Sequence, residues 1–488
     1  MSIFLYAIIG LILYKLFKFY RKVWQLPPGP FPLPMIGNVY QMDPDAPHKN
    51  IERWGKKYGP VFTVWMTDPN VVFTDYETIK ETLIKQGDAF AGRPRLYVLD
   101  LYCKGNYGVI LSEGSRWKEQ RRFSLHVLRD FGFGRTLMEE KILSQTNTLM
   151  QRMTDALKYS PNIDLSPLLQ LCVGNIISDV VFGHSFDDDL TRFQFLKDLL
   201  EEMFHLFRRP AAFLLNQQPW LRYLPLFNNF SYTPLMKNTA NLRKFVQDEI
   251  DEHLEKMKTD DTDEDFLSVY LREKAKGQSD SFSDTQTITV MTDLFVAGME
   301  TTVTTLRWAF LYMVRNPDVQ ARVHQEISKV LGDEGTVKMA DRNEMPYTAA
   351  TIAEIQRRAN ILPINVQHKT VQEVDVKGFT IPAETTILPQ IAAVLDDPEL
   401  FPEPESLKPE RFLKNGQLDI PDEVAPFSLG KRKCLGEPLA RMELFLIFVA
   451  LIQRFKFGVP KGKQMPEEKR VFGATTAPAA YNCSVILR

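Results

Sequence analysis

The sequence predicts a mainly α-helical protein with a minor β-region, built as one large domain behind an N-terminal apolar helix. Three observations carry this expectation. Ser283 and Gln286 form the pattern of a capping box, and Asn316-Pro317 is a stop signal, so one helix is expected from there to Arg315. At 1.5 Å per residue it would be roughly 48 Å long, enough to cross a domain. Second, the periodicity from about Ser115 onward is mostly helical. Third, strand-like segments are few: Val61 to Met66 and Val71 to Thr74, split by Asp68-Pro69-Asn70, and Val374 to Ile381, which turns at Lys377-Gly378.

The N-terminal element follows from hydropathy. Met1 to Tyr14 carries no charge, and Leu16, Phe17, Phe19 and Tyr20 prolong the apolar run until Arg21 and Lys22 close it. A membrane span needs about 20 apolar residues, and Lys15 and Lys18 can snorkel to the headgroups. No basic stretch precedes the run and no A-x-A site follows it. A retained membrane anchor is therefore expected over residues 1–22, in preference to a cleaved signal peptide. Positive charge after the span places the rest on the cytosolic side. Pro27-Pro28-Gly29-Pro30, Pro32 and Pro34 make residues 23–38 a proline-rich hinge, readable as a stiff spacer or as a simple linker. Residues 39–488 remain as the globular domain. The acidic run Asp260 to Asp265 and the polar stretch Lys274 to Asp280 read as exposed loop.

Composition narrows the function. The chain has 488 residues, 44% hydrophobic and 25% charged, and a formal net charge of -2. No chain-wide basic field exists, so nucleic acid is not an expected partner. Cys103, Cys172, Cys434 and Cys483 are scattered and form no CxxC pair, which speaks against a zinc ribbon, a thioredoxin-like site or a disulfide framework.

One cysteine stands in a chemical context: Phe427-Ser428-Leu429-Gly430-Lys431-Arg432-Lys433-Cys434-Leu435-Gly436. Gly430 and Gly436 let the backbone approach closely and aim N–H groups at a sulfur. The segment from Pro438 to about Phe455 is strongly helical, so Cys434 precedes a helix N-terminus, where the dipole favours a thiolate. Arg432 is placed to pair an anionic group of a cofactor, and Phe427 to shield the sulfur from water. A thiolate in a dry, hydrogen-bonded pocket suits an axial ligand to haem iron.

That segment resembles the haem-binding signature of the cytochrome P-450 family, and the resemblance extends over nearly the whole chain. Pro27 to Pro30, Ala91-Gly92-Arg93-Pro94, Arg122-Phe123-Ser124 and Phe131-Gly132-Phe133-Gly134 look like its animal microsomal branch, which oxidises lipids and foreign compounds. The resemblance implies haem b, with Cys434 as the ligand of the iron. Ala297-Gly298-Met299-Glu300-Thr301-Thr302 lies midway along the long helix. The Thr301 hydroxyl can bond the Ala297 carbonyl, and the small residues at 297 and 298 leave room beside the helix. This is similar to the family's oxygen-activation segment, with Thr301 as the hydroxyl and Glu300 as a proton relay. Glu354 and Arg357 share a helix face, and with Arg411 in Pro409-Glu410-Arg411-Phe412 they look like the family's buried structural lock. Trp117 and Arg121, four apart on a helix, could both reach one haem propionate. His368 aligns with a further propionate ligand of the family; a packed histidine is the equal alternative.

The expected reaction is insertion of one oxygen atom from O2 into a small lipophilic substrate such as a fatty acid or xenobiotic. Electrons would come from an NADPH-dependent flavoprotein reductase, with a b-type cytochrome as a second donor, since the chain has no dinucleotide fingerprint. Lys118, Arg121, Arg122, Arg129, Lys431 and Lys433 read as a docking patch for an acidic reductase, or as a solvated face. Trp220 to Phe230 reads as a second bilayer contact or as core packing. The expected location is the endoplasmic reticulum membrane, catalytic domain toward the cytosol. The resemblance implies pocket walls from Arg95 to Tyr107, Asp293 to Thr301, Ile361 to Val366 and Thr475 to Ala477. Rival functions are a peroxide-rearranging synthase, which has no need of Thr301, a non-catalytic haem sensor, and a scaffold without cofactor.

Overall fold

The computed structural model describes residues 2–43, 46–66, 68–131, 136–258, 265–332, 334–473 and 475–488. Of the segments singled out above, 132–134 and 260–264 lie outside the described residues. The chain is mainly helical with small sheets, and it divides into two compact units.

The first unit comprises residues 1–94, 362–402 and 425–433. Its centre is a four-stranded sheet: Val61–Trp65 pairs antiparallel with Pro69–Phe73, which pairs parallel with Thr386–Pro389, which pairs antiparallel with His368–Lys369. The first hairpin is the one expected, closed tightly enough for Trp65 to face Pro69. Val374–Val376 and Phe379–Ile381 form the second hairpin, with Lys377 and Gly378 both at positive φ, as a two-residue primed turn demands.

The N-terminal helix runs Ser2–Gln25. Its first half exposes Phe4, Leu5, Ile9, Leu11, Ile12 and Leu13. Its last turns pack inward: Phe19 lies 4.9 Å from Trp65, Tyr20 stacks on Phe31 at 5.3 Å, and the Tyr20 hydroxyl donates to the Pro32 carbonyl. The expected membrane span is not found. No helix among the described residues is long and apolar enough to cross a membrane. The physical reason is the interruption by Lys15, Lys18, Arg21 and Lys22, together with the docking of the helix end onto its own unit.

The second unit comprises residues 95–361, 403–424 and 434–488 and holds most of the helices. The long helix runs Asp284–Arg315, with Ser283 as its N-cap accepting the Gln286 N–H. The Gln286 side chain, however, brackets Gly108, donating to its carbonyl at 3.0 Å and accepting its N–H at 2.9 Å. From Trp308 to Val314 every side chain is buried, so this end of the helix is core on all sides. Each large apolar side chain there contributes about 1.5–3 kcal/mol. The helix Ser166–Phe182 packs against the long helix at Gly298, where an added Cβ would lie 2.7 Å from the Ile177 Cδ1. The helix Glu437–Arg454 starts with Pro438 in its first turn and is buried without a break from Met442 to Ile452.

Candidate haem-thiolate site

The residues of the cysteine signature fall in both units: Phe427 to Lys433 in the first, Cys434 to Gly436 in the second. In the first, a short 3-10 turn spans Gly430–Arg432. Gly430 has φ +73°, and a Cβ on it would lie 1.9 Å from the Leu83 carbonyl oxygen, so no other residue fits. Ser428 also sits at positive φ. Gly436 has no such requirement: no protein atom lies within 4 Å of its virtual Cβ.

In the second unit, Cys434 lies two residues before Gly436, the N-cap of the helix Glu437–Arg454. Its sulfur is met by the backbone N–H groups of Gly436 and Glu437. Burial raises the thiol above its ordinary value. Those two N–H groups and the Arg121 charge pull the other way, while the Glu437 charge adds to the rise. Yet Cys434 keeps accessible surface, whereas Cys103, Cys172 and Cys483 are buried and all four are free. Burial pushes the Cys483 thiol up to about 12, and those of Cys103 and Cys172 higher still, so they stay inert.

Trp117 and Arg121 lie on the helix Gly114–Asp130, with Trp117 buried. Arg121 is half-buried and feels the Cys434 sulfur electrostatically. Lys118, Arg122 and Arg129 occupy the outer face of this helix and are exposed, so the four members of the expected basic cluster on this helix separate into one inward and three outward, while Lys431 and Lys433 are exposed on the first unit.

The oxygen-activation segment also belongs to this unit. Thr301 donates to the Ala297 carbonyl at 2.7 Å, as its spacing predicts. Room beside the helix is provided differently from the expectation. Ile177 fills the space at Gly298, while Ala297 is exposed in a helix whose other faces are packed. Leu294, Ala297 and Thr301 make an accessible stripe at helical spacing. The Glu300 carboxylate accepts from Thr475 at 2.9 Å and from Thr304 at 3.4 Å, and burial raises its proton affinity. Asp293, expected as a pocket wall, is a clasp: buried, it accepts the backbone N–H groups of Val109 and Ile110 at 2.7 and 3.0 Å. Burial pushes it up to about 6 against those two bonds.

Glu354 and Arg357 are completely buried and joined by two hydrogen bonds of 2.8 and 2.9 Å, and Arg411 adds a third at 2.9 Å. The Lys408 N–H and the Pro404 carbonyl complete the cluster. It forms as expected.

The first unit gathers a second cationic group. Arg432 Nε donates to the Ala91 carbonyl at 2.8 Å, and His368 Nδ1 lies 2.9 Å from the Phe90 carbonyl. Arg93 donates to the carbonyls of Gln367 and Val366. Since a carbonyl only accepts, Nδ1 carries the His368 proton, and Nε2 can donate only when the ring is charged. Burial, with the Arg93 and Arg432 charges, pushes His368 down to about 3 against the pull of the Phe90 carbonyl. An anion such as a propionate would offset that cost. Sequence reasoning passed over Arg93 and Thr304 as site residues. Thr304 is four residues from Glu300 and could have been found by that spacing.

Each unit by itself carries residues of the chemistry that haem b requires: the second an accessible cysteine before a helix N-terminus, an accessible stripe beside a hydroxyl, and Trp117 with Arg121 as donors for a propionate; the first the Arg93 and Arg432 guanidinium groups, suited to an anion. The comparisons agree. The cytochrome P450 family model matches residues 27–484. The chain is similar to the probable cytochrome P450 CYP36A1 of Caenorhabditis elegans, 36% identical over 93% of this chain and 94% of the relative. Cytochrome P450 2J2 of Homo sapiens is 37% identical, with 95% and 92% covered. Cytochrome P450 2C3 of Oryctolagus cuniculus is 38% identical, with 91% and 90% covered. On that extent of similarity the chain belongs to the cytochrome P450 family, monooxygenases that use haem b with a cysteine thiolate on the iron.

Proposed function

We propose that this chain inserts one oxygen atom from O2 into small lipophilic molecules, fatty acids or foreign compounds, with electrons from an NADPH-dependent flavoprotein reductase. The observation that carries the reading is Cys434, the accessible cysteine among the four, placed before a helix N-terminus. When bound through its iron, haem supplies dioxygen activation, with electronic push from the thiolate. Cys434 would be its ligand, the sulfur oriented by the N–H groups of Gly436 and Glu437. Trp117 and Arg121 in the second unit, and Arg432 and His368 in the first, are the residues that would hold the propionates. Thr301 can accept a hydrogen bond from water or another donor, because its own proton is engaged by Ala297. Glu300 passes protons inward.

Exposure supports two further parts of the reading. The apolar half of the N-terminal helix engages the bilayer of the endoplasmic reticulum and keeps the enzyme on its cytosolic side. The stretch Trp220 to Phe230 adds a second contact: Trp220, Tyr223, Leu226 and Phe230 are exposed, while Leu221 and Phe227 pack inward. Lys118, Arg122 and Arg129 offer the outer face on which an acidic reductase docks.

The test is turnover of a panel of fatty acids and foreign lipophiles with reductase and NADPH under 18O2. One labelled oxygen per product molecule, dependent on NADPH, is expected. Product formed from a hydroperoxide without NADPH or label incorporation would establish the rearranging synthase instead.

A further inference from the structure

Thr475 sits at the tip of a hairpin formed by Arg470–Val471 and Ala477–Pro478, far in sequence from the long helix. The tip is stitched down on several sides. The Thr476 N–H donates to the Ile361 carbonyl at 2.7 Å, Trp308 Nε1 donates to the Thr476 carbonyl at 2.8 Å, and Arg208 donates to the Phe472 carbonyl at 3.1 Å. The Thr475 side chain is thereby fixed, and it is buried. Its hydroxyl donates to Oε1 of Glu300 at 2.9 Å. Thr304 reaches the same oxygen at 3.4 Å and lies 3.1 Å from the Thr475 hydroxyl. Both donors thus converge on one carboxylate oxygen.

We propose that Thr475 is a positioning residue for proton supply: with Thr304 it holds Glu300 by Oε1, so that a proton carried by the carboxyl resides on Oε2. The proposal rests on the reading of Glu300 as a relay and specifies how that relay is set. Two O–H donors localise negative charge on Oε1 and favour the ionised form. The charged groups facing Glu300 are Arg307 on its own helix, which acts in the same direction, and Glu201 on the helix Leu190–Arg208, which opposes it; the hairpin tip contributes only hydroxyls. Burial favours the neutral acid. Removing one hydroxyl therefore shifts the balance toward the held proton.

The test uses the haem-loaded enzyme. Infrared difference spectra of wild type minus Glu300→Gln, titrated with pH, isolate the Glu300 carboxyl band. Thr475→Val keeps the shape and should move its midpoint to higher pH, and Thr475→Ser should restore it. In parallel, peroxide released per NADPH should rise roughly two- to tenfold in Thr475→Val, the worth of one net hydrogen bond. An unmoved midpoint in Thr475→Val, with the reduced carbon monoxide spectrum intact, overturns the proposal. A midpoint that moves while Glu300→Gln leaves the peroxide yield unchanged upholds the Thr475 arrangement and removes Glu300 from the relay.

Discussion

Glu354 and Glu300 are two carboxylates on helices of the same unit, and their partners differ in kind. Glu354 is met by two guanidinium groups and a backbone N–H, with no surface left to solvent. Glu300 is met by two neutral hydroxyls on one oxygen. An acid matched by fixed cations is committed to an ion pair and builds architecture. An acid met by hydroxyls alone, in surroundings that favour its neutral form, can exchange a proton at modest cost. Glu443 is the extreme of the second kind. It is buried on the helix after Cys434, accepts one hydrogen bond from Thr302 at 2.9 Å, and is pushed up to about 8 by burial. It is therefore mostly neutral at pH 7.

The sharpest way to break this contrast is Arg357→Ala. A buried ion pair that loses one partner costs about 3–5 kcal/mol, so thermal stability and haem retention should fall together. Stability close to wild type in chemical denaturation would mean that Arg411 alone satisfies Glu354. Glu443→Gln probes the opposite regime. The folded-state value of Glu443 lies above that of the unfolded chain, so wild type loses stability as pH rises from about 5 to about 8. The variant lacks that loss, and its advantage should grow over the same window, on the order of a few kcal/mol. A constant difference across the window would show that Glu443 does not titrate there.

Thr301→Ala leaves a helix-favouring residue and should leave haem content unchanged. NADPH consumption should persist while product per NADPH falls and peroxide rises. An unchanged ratio would exclude Thr301 from proton delivery. The smallest effect is expected outside both carboxylate regions. Lys118→Glu with Arg122→Glu should slow reductase-supported turnover by about tenfold at low salt, with the difference fading as salt rises. Peroxide-driven turnover should be unaffected; equal loss in both assays would place the damage at the haem.

Local patterns made much of this legible. Ser283, Gln286 and Asn316-Pro317 marked both ends of the long helix because caps and stops are short-range signals. The same holds for Thr301 with Ala297, four residues apart, and for Glu354 with Arg357, three apart. What the sequence left open was long-range. Nothing near Glu300 announces Thr475, which a distant hairpin carries to it. Ile177 fills the space beside Gly298, so two adjacent small residues serve different ends. Hydropathy likewise does not register that Phe19 and Tyr20, counted in the expected anchor, pack onto Trp65 and Phe31.

The account stands on Cys434 as the thiolate ligand. The most direct measurement is the absorption spectrum of the reduced carbon monoxide complex of Cys434→His, compared with wild type at equal haem content. Wild type should show the red-shifted Soret band of a thiolate-ligated haem, and the variant should lose it while keeping a bound haem. A variant that retains the red-shifted band would contradict the assignment and place the ligand elsewhere in the chain.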